Sequence, residues 1–382
     1  MLDLYQNPEV QSRLEKYNKQ PLDLLKLSSV LAKQFSAEER HWIADWIELA
    51  PKVFTKFGVA SLLCDRLALE QSTAQDLGRW KANLWQHGAG VLDLCCGMGG
   101  DSMFLPTAVS VCGVDLDPLR IAMYKANTKI LGCAREAYVG NALQPPCSAD
   151  FFQIDPARRS DLSGNQRRLV NLTPNWSEVS TLSKKFLGGL VKLPPSFPLS
   201  ELPEQAALTY LGTSGDCREC LVGLGSMAST MVQAIEVSSG ARFAAERAEV
   251  DTARLEVQNV GQFLIEPSPT LVRSHLFPLW AAPYSLWQID PSIAYLSGDQ
   301  EVPANPWCTC YRVLDACPLG TERVKAMLKK HGIRPMTLKK RGVEVEPAVE
   351  LKRLKINEGI PGILFYTRIQ NEKFAILTLP PF

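Results

Sequence analysis

Between residues 22 and 57, apolar side chains recur at three- and four-residue spacing: Leu24, Leu25, Leu27, Val30 and Leu31, then Trp42, Ile43, Trp46 and Ile47. That period puts them on one face of a helix. Pro and Gly stay sparse as far as about residue 86, so residues 1–86 are expected to form a helical N-terminal domain. At Gly88 the pattern changes. Short apolar runs at 90–95, 109–115, 137–139, 150–154 and 188–193 alternate with helical stretches. Strands alternating with helices predict a parallel sheet in a doubly wound α/β domain, residues 87–250. Two later strand-like runs, 219–223 and 241–247, follow the Pro-rich loop 194–203 and are expected as an antiparallel pair at one edge. Residues 251–304 are rich in Pro and aromatics (Pro267, Pro269, Pro278, Trp280, Pro283, Trp287, Pro291) and read as a helical connector. From Asn305 the pattern runs strand, helix, strand, helix and two strands, a small α+β domain over 305–382.

Composition narrows the picture. The 382 residues are 46% hydrophobic with a formal net charge of +1, enough apolar content for full cores and enough length for two or three domains. No apolar run is long enough for a membrane-spanning helix, and the opening MLDLYQNPEV has no basic stretch leading into an apolar one, so no secretory signal is expected. Eleven scattered cysteines, an odd number that includes the adjacent Cys95 and Cys96, point to reduced thiols and a cytoplasmic location. Cys217-x-x-Cys220 and Cys308-x-Cys310 lack the two-pair spacing of a zinc site, so buried thiols are expected there and no metal. His41, His87, His275 and His331 stand without a partner at motif spacing. The charge is uneven: residues 321–355 hold 11 Lys/Arg against 4 Glu. A solvated charged face and a phosphate-binding face are both compatible with that run.

The sharpest chemical signal is VLDLCCGMGGD, residues 91–101. An apolar strand ends in a Gly-x-Gly-Gly turn that opens a helix, which lets backbone approach a ligand closely with N–H groups aimed at it. Asp115, in VCGVDLDP, follows Gly97 by eighteen residues at the tip of the next strand, where a carboxylate suits two ribose hydroxyls. A dinucleotide site wants a third glycine for helix packing; Ser102 stands there instead. Asp93, on the strand just before the turn, would repel a pyrophosphate but can receive an ammonium group. The pattern therefore favours S-adenosylmethionine over a dinucleotide, against the plainer alternative of a strand–turn–helix with no ligand.

Taken in order, VLDLCCGMGGD, VDLDP, GNA and IDPARR resemble the class I S-adenosylmethionine-dependent methyltransferases. TLKKRGVEV (337–345) and PGILFYTRI (361–369) resemble the tail of the bacterial group with a C-terminal THUMP-like domain. IEPSPTLVRSHL and WQIDPSIAYLSGD resemble its connector, and LALEQST (67–73) the helix leading into the cofactor domain. The resemblance implies a Rossmann-like core. Asp93 and the backbone of Cys95, Gly97 and Gly99 would hold the methionine part of the cofactor. Asp115 would bind the ribose and Leu116 would pack beside the adenine. Asn141, with Ala142 in GNA, would meet the adenine amino group, where the family usually has Asp. An Asn carbonyl can still accept that bond.

The run Gln153-Ile154-Asp155-Pro156-Ala157-Arg158-Arg159 ends the fourth core strand. In amino-methylating relatives this spot reads Asn/Asp-Pro-Pro and an aromatic, whose carboxylate or amide and Pro carbonyl accept hydrogens from the target amine. Asp155 and Pro156 remain as the expected catalytic pair, while Ala157 and Arg158 replace the second Pro and the aromatic. Arg158 and Arg159 cannot act as bases, but they can clamp a phosphate or carboxylate, and an Arg plane can stack on a base. An ion pair with a nearby acid is the competing role. Methyl transfer to RNA is the leading expectation. A small anionic metabolite or protein acceptor is the second, and a non-catalytic RNA-binding protein on this fold the third. The oligomeric state is not encoded in any pattern found.

Overall fold

The computed structural model describes residues 4, 7–10, 12, 35–85, 88–158 and 172–381. The chain divides into two compact units, Met1–Ala207 with Cys220–Ser229, and Leu208–Glu219 with Thr230–Phe382.

The first unit opens with α1 (Ala37–Phe57), α2 (Arg66–Gln71) and α3 (Gln75–Ala82). Helix α1 starts at a capping box between Ser36 and Glu39 and stops at Gly58, whose φ of 72° is the left-handed conformation that a glycine adopts freely. The Trp42/Ile43/Trp46/Ile47 stripe continues through Val53 and Phe57 into a core cluster. That cluster also holds Met98, Met103, Met123 and Ala126. The described residues of the 1–86 segment, expected as a domain of their own, thus share a core with the α/β elements that follow, the apolar stripe of α1 being covered there.

Strands β1 (Gly90–Leu94), β2 (Ser110–Asp115), β3 (Glu136–Val139), β4 (Phe151–Ile154) and β7 (Gly188–Leu193) are parallel, in the order β7-β4-β1-β2-β3. Helix α4 (Pro118–Ile130) joins β2 to β3, begun by Asp117 as N-cap with Pro118 behind it. Helix α5 (Trp176–Ser183) precedes β7. A two-residue antiparallel pair, β5 (Ala157–Arg158) with β6 (Leu172–Thr173), follows β4. The sheet reverses its direction of growth between β1 and β4, the point where open α/β sheets bind ligands. Beyond β7 lies β9 (Asp216–Gly225), antiparallel to it along Cys220–Gly225.

In the second unit, β10 (Met231–Glu236) pairs parallel with β8 (Ala207–Thr213) and antiparallel with β11 (Ala241–Glu246). The expected edge pair is corrected here. The runs 219–223 and 241–247 do lie on strands, yet β9 pairs with β7 and β11 with β10. Strands β8 and β10 were missed because ALTYLGT and MVQAIE are short and lie among turn-forming sequence.

The connector reading of 251–304 is also corrected. Helix α6 (Arg247–Thr252) and the five-residue helices α7 (Pro269–Arg273) and α8 (Phe277–Ala281) alternate with strands β12 (Phe263–Pro267), β13 (Trp287–Asp290) and β14 (Ile293–Gly298). Its prolines stop or start elements, and the aromatic and branched residues between them suit strands. These strands join β15 (Cys308–Pro318), β16 (Ile333–Lys340), β17 (Ile360–Ile369) and β18 (Glu372–Thr378) in a sheet ordered β13-β14-β12-β15-β18-β17-β16. Helices α9 (Thr321–His331) and α10 (Pro347–Leu354) complete the strand-helix-strand-helix-strand-strand series expected from Asn305 onward. His331, isolated in sequence, meets Asp315 at 2.8 Å.

Candidate active site

The glycine turn leaves β1 through three residues of positive φ: Cys95 at 58°, Gly97 at 53° and Gly99 at 95°. A Cβ added at Gly97 would meet nothing within 4 Å, so this backbone faces open space. Gly100 is the reverse case, since a Cβ there would fall 2.3 Å from Ser72 Oγ and 2.9 Å from the Thr73 nitrogen. The turn is thus pressed on one side against the α2–α3 corner and open on the other. Asn127, buried on α4, fastens it further by donating to the carbonyls of Met98 (3.1 Å) and Leu63 (3.0 Å).

Asp115, at the end of β2, accepts from the Gly97 N–H at 2.9 Å and from the Asp117 N–H at 3.0 Å, one bond on each oxygen. Each oxygen keeps acceptor capacity for a hydroxyl. Leu116 beside it is 70% exposed, and Val139, the register partner of Asp115 on β3, is 52% exposed. Two large apolar side chains are thus bare at adjacent strand ends, where an apolar ligand group could cover them. Asn141 lies just past β3, where its Oδ1 accepts from the Leu143 N–H at 2.9 Å and holds its own turn; Ala142 is buried.

Asp93 is 4% exposed. Burial, reinforced by the Asp101 charge, pushes its carboxyl up to about 7 even though the Ser102 hydroxyl donates to it. Ser102, which stands where a dinucleotide site has its third glycine, therefore serves the acid. Burial also raises the thiol of Cys95, to about 12, so the thiol form holds at neutral pH.

Asp155 follows β4 directly, with its backbone N–H on the Leu94 carbonyl at 3.4 Å, which seats it beside the glycine turn. Pro156 is buried. Arg158 pairs through its backbone with Leu172; Arg159 lies outside the described residues. The structure thus brings together at one end of the sheet Asp93, Cys95, Gly97 and Gly99, Asp115 with Leu116, Asn141 with Ala142, and Asp155 with Pro156.

A second set of residues went unnoticed in the sequence. Lys192 on β7 binds Asp155 Oδ2 at 2.7 Å and the Thr73 hydroxyl at 2.9 Å. That hydroxyl donates to Asp101 at 3.1 Å, and Lys81 of α3 forms an ion pair with Asp101. Burial raises the Asp101 carboxyl, but Lys81 and Lys192 more than offset this and hold it below its usual range. One signal was visible: Lys192 is the lone charge in the apolar strand GGLVKL.

In the second unit, α9, β16 and α10 carry the basic segment. Arg323, Lys329, Lys340, Lys352, Arg353 and Lys355 are exposed. Lys339 is drawn inward to Glu266 and to the Tyr311 hydroxyl.

Comparison with known proteins shows what the chain is similar to. Residues 308–380 match the family described as THUMP domain-like. An uncharacterized S-adenosylmethionine-dependent methyltransferase of Mycobacterium tuberculosis is 29% identical over 330 residues, covering 84% of this chain and 88% of the relative. A crystal structure from Porphyromonas gingivalis, of a protein assigned as a methyltransferase, has the same fold, with a TM-score of 0.77 at 19% identity over 98% of this chain and 97% of that one. A glycine turn on β1, an acid at the tip of β2 and an Asp-Pro turn after β4 thus go together with similarity to S-adenosylmethionine-dependent methyltransferases over most of the chain and with a THUMP-like match at residues 308–380.

Proposed function

We infer that the protein methylates a nucleotide of RNA and that Asp155 orients the acceptor. The carrying observation is the placement of Asp155 at the switch point of the sheet, with its N–H on the strand that feeds the glycine turn. In this reading Asp93 receives the ammonium of the cofactor and the open backbone of Cys95, Gly97 and Gly99 lies along its methionine part. Asp115 accepts from the ribose hydroxyls. Leu116 packs on the adenine, and Asn141, beside Ala142, offers it the second lone pair of Oδ1. The residues fit the group: a glycine backbone facing open space, a carboxylate with spare acceptor capacity, and a bare leucine next to it.

The bound cofactor supplies an electrophilic methyl group on a sulfonium. The work left to the chain is positioning, because the transfer is an in-line displacement. Asp155 and the Pro156 carbonyl accept hydrogen bonds from the incoming amine or hydroxyl and turn its lone pair towards the cofactor side. Arg158 and Arg159 are proposed to hold a phosphate of the acceptor. The THUMP-like match and the exposed cations of residues 321–355 support RNA as that acceptor, through phosphate contacts that set register without reading sequence. Cysteine usage supports a cytoplasmic setting, and no helix among the described residues is long and apolar enough to cross a membrane.

The test is transfer of tritiated methyl from S-adenosylmethionine into fractionated total RNA and protein, with and without ribonuclease. Label is expected in one RNA size class, abolished by ribonuclease and by Asp155→Ala. Label confined to protein or to small molecules would replace RNA by an anionic acceptor of that class.

A further inference from the structure

Asp155 is 40% exposed on its side chain, whereas Lys192 beneath it is only 16% exposed. The pair is lopsided: the carboxylate is the more exposed partner and the lysine of β7 the more buried. Asp155 Oδ2 accepts a hydrogen bond from the Lys192 ammonium at 2.7 Å. A second Lys192 proton goes to the Thr73 hydroxyl at 2.9 Å. The Thr73 hydroxyl donates in turn to Asp101 at 3.1 Å, and Asp101 immediately follows Gly99 and Gly100. A continuous line of hydrogen bonds therefore joins the Asp-Pro turn after β4 to the glycine turn after β1. Its middle link, Thr73, comes from the corner between α2 and α3.

Half-buried charge pairs are held against a desolvation cost, and fixing one geometry is their best-attested use. A carboxylate free to rotate would offer either oxygen to the acceptor and lose the alignment on which an in-line transfer depends. We propose that Lys192 is the positioning residue of the acceptor site: it fixes the rotamer of Asp155, and through Thr73 and Asp101 it sets the distance between the acceptor turn and the cofactor turn. The inference rests on the methyl-transfer reading above. Among the described residues, the groups near Asp155 and its partner include the Lys192 ammonium on β7 and the neutral Cys95 thiol on the turn after β1, with Asp101 and Lys81 behind them.

Lys192→Gln, Lys192→Arg and Thr73→Val are compared with wild type in two assays: S-adenosylhomocysteine binding by calorimetry, and tritiated methyl transfer into total RNA, protein and low-molecular-weight extract. Lys192→Gln is expected to bind S-adenosylhomocysteine within about twofold of wild type and to lower the transfer rate at saturating acceptor by at least about tenfold. Lys192→Arg should restore most of the rate, and Thr73→Val, which leaves the ion pair in place, should lose about three- to tenfold. In an Asp155→Asn background the added loss from Lys192→Gln should shrink below about twofold, which a merely structural lysine would not do. Wild-type transfer by Lys192→Gln, or losses that multiply in the double variant, would overturn the proposal. Should Lys192→Gln not fold, Thr73→Val with unchanged transfer overturns it. A wild-type protein that binds S-adenosylhomocysteine yet labels none of the three fractions overturns the methyl-transfer reading and this inference with it.

Discussion

Replacing Asp93 with Asn tests the electrostatics of the cofactor site without changing its shape. Burial first, and the Asp101 charge second, raise the Asp93 carboxyl from 3.8 to about 7. The folded state therefore keeps a proton that the unfolded chain releases near pH 4. The sign follows directly: the stability tied to this group is complete below about pH 4, falls as pH rises from about 4 to about 7, and is level above that. A rise of about three pH units at about 1.4 kcal/mol each gives an upper bound of about 4 kcal/mol. Relaxation around a buried charge brings this to about 2 kcal/mol. Asn carries no such cost at any pH and still accepts from Ser102. The variant should accordingly gain on wild type between pH 5 and pH 8, and for a unit of over 200 residues the widening is about 4–8 °C in Tm. Thermal melts at the two pH values read it. The same change removes the partner proposed for the cofactor ammonium, so S-adenosylhomocysteine affinity should fall by at least about a hundredfold. A Tm difference that does not move with pH would refute the buried-acid argument, and unaltered binding would refute the role given to Asp93.

Wild-type binding of S-adenosylhomocysteine near pH 7 should release a proton from Asp93, visible as a binding enthalpy that changes with the ionisation enthalpy of the buffer; an enthalpy common to all buffers would contradict it. Asp115→Ala should weaken S-adenosylhomocysteine by about 1.5–3 kcal/mol, the usual contribution of hydrogen bonds to a charged group, and calorimetry at pH 8 measures this. Gly97→Ala places a side chain at φ 53° and facing open space, so the fold should lose about 1 kcal/mol while cofactor affinity drops further, a split that melts and calorimetry resolve. Changing Lys329, Lys352 and Lys355 together to Gln should flatten the slope of log Kd for single-stranded RNA against log salt by about 2, at about 0.7 per phosphate contact; an unchanged slope would place the RNA contacts elsewhere.

What the sequence made legible were the features written in contiguous residues. The Gly97–Gly99 turn, the acid Asp115 eighteen positions on and the Asp155-Pro156 pair each sit at the end of an apolar run, and the strand–helix alternation placed them at one end of a parallel sheet. What escaped was assembled across the chain. Lys192 and Thr73 are 119 positions apart and meet only once β7 and the α2–α3 corner are in place. Thr73 and Lys81 look like ordinary helix-flanking polar residues. The strands within 251–304 were obscured because prolines, read as connector punctuation, also mark the ends of strands. The expectation of a separate helical domain failed for a related reason: a period of 3.6 says that a face is apolar, not what will cover it.

The contact between Gly100 and the Ser72–Thr73 backbone bears on how such enzymes can be recombined. With no room for a methyl group at Gly100, and with Thr73 and Lys81 both reaching Asp101, the segments 72–81 and 97–102 form one heritable block. Hybrids that cross over between them, for example at residue 88, would join a glycine turn to a wall shaped for another. Natural relatives are expected to vary the two segments together, and viable chimeras to keep them from one parent.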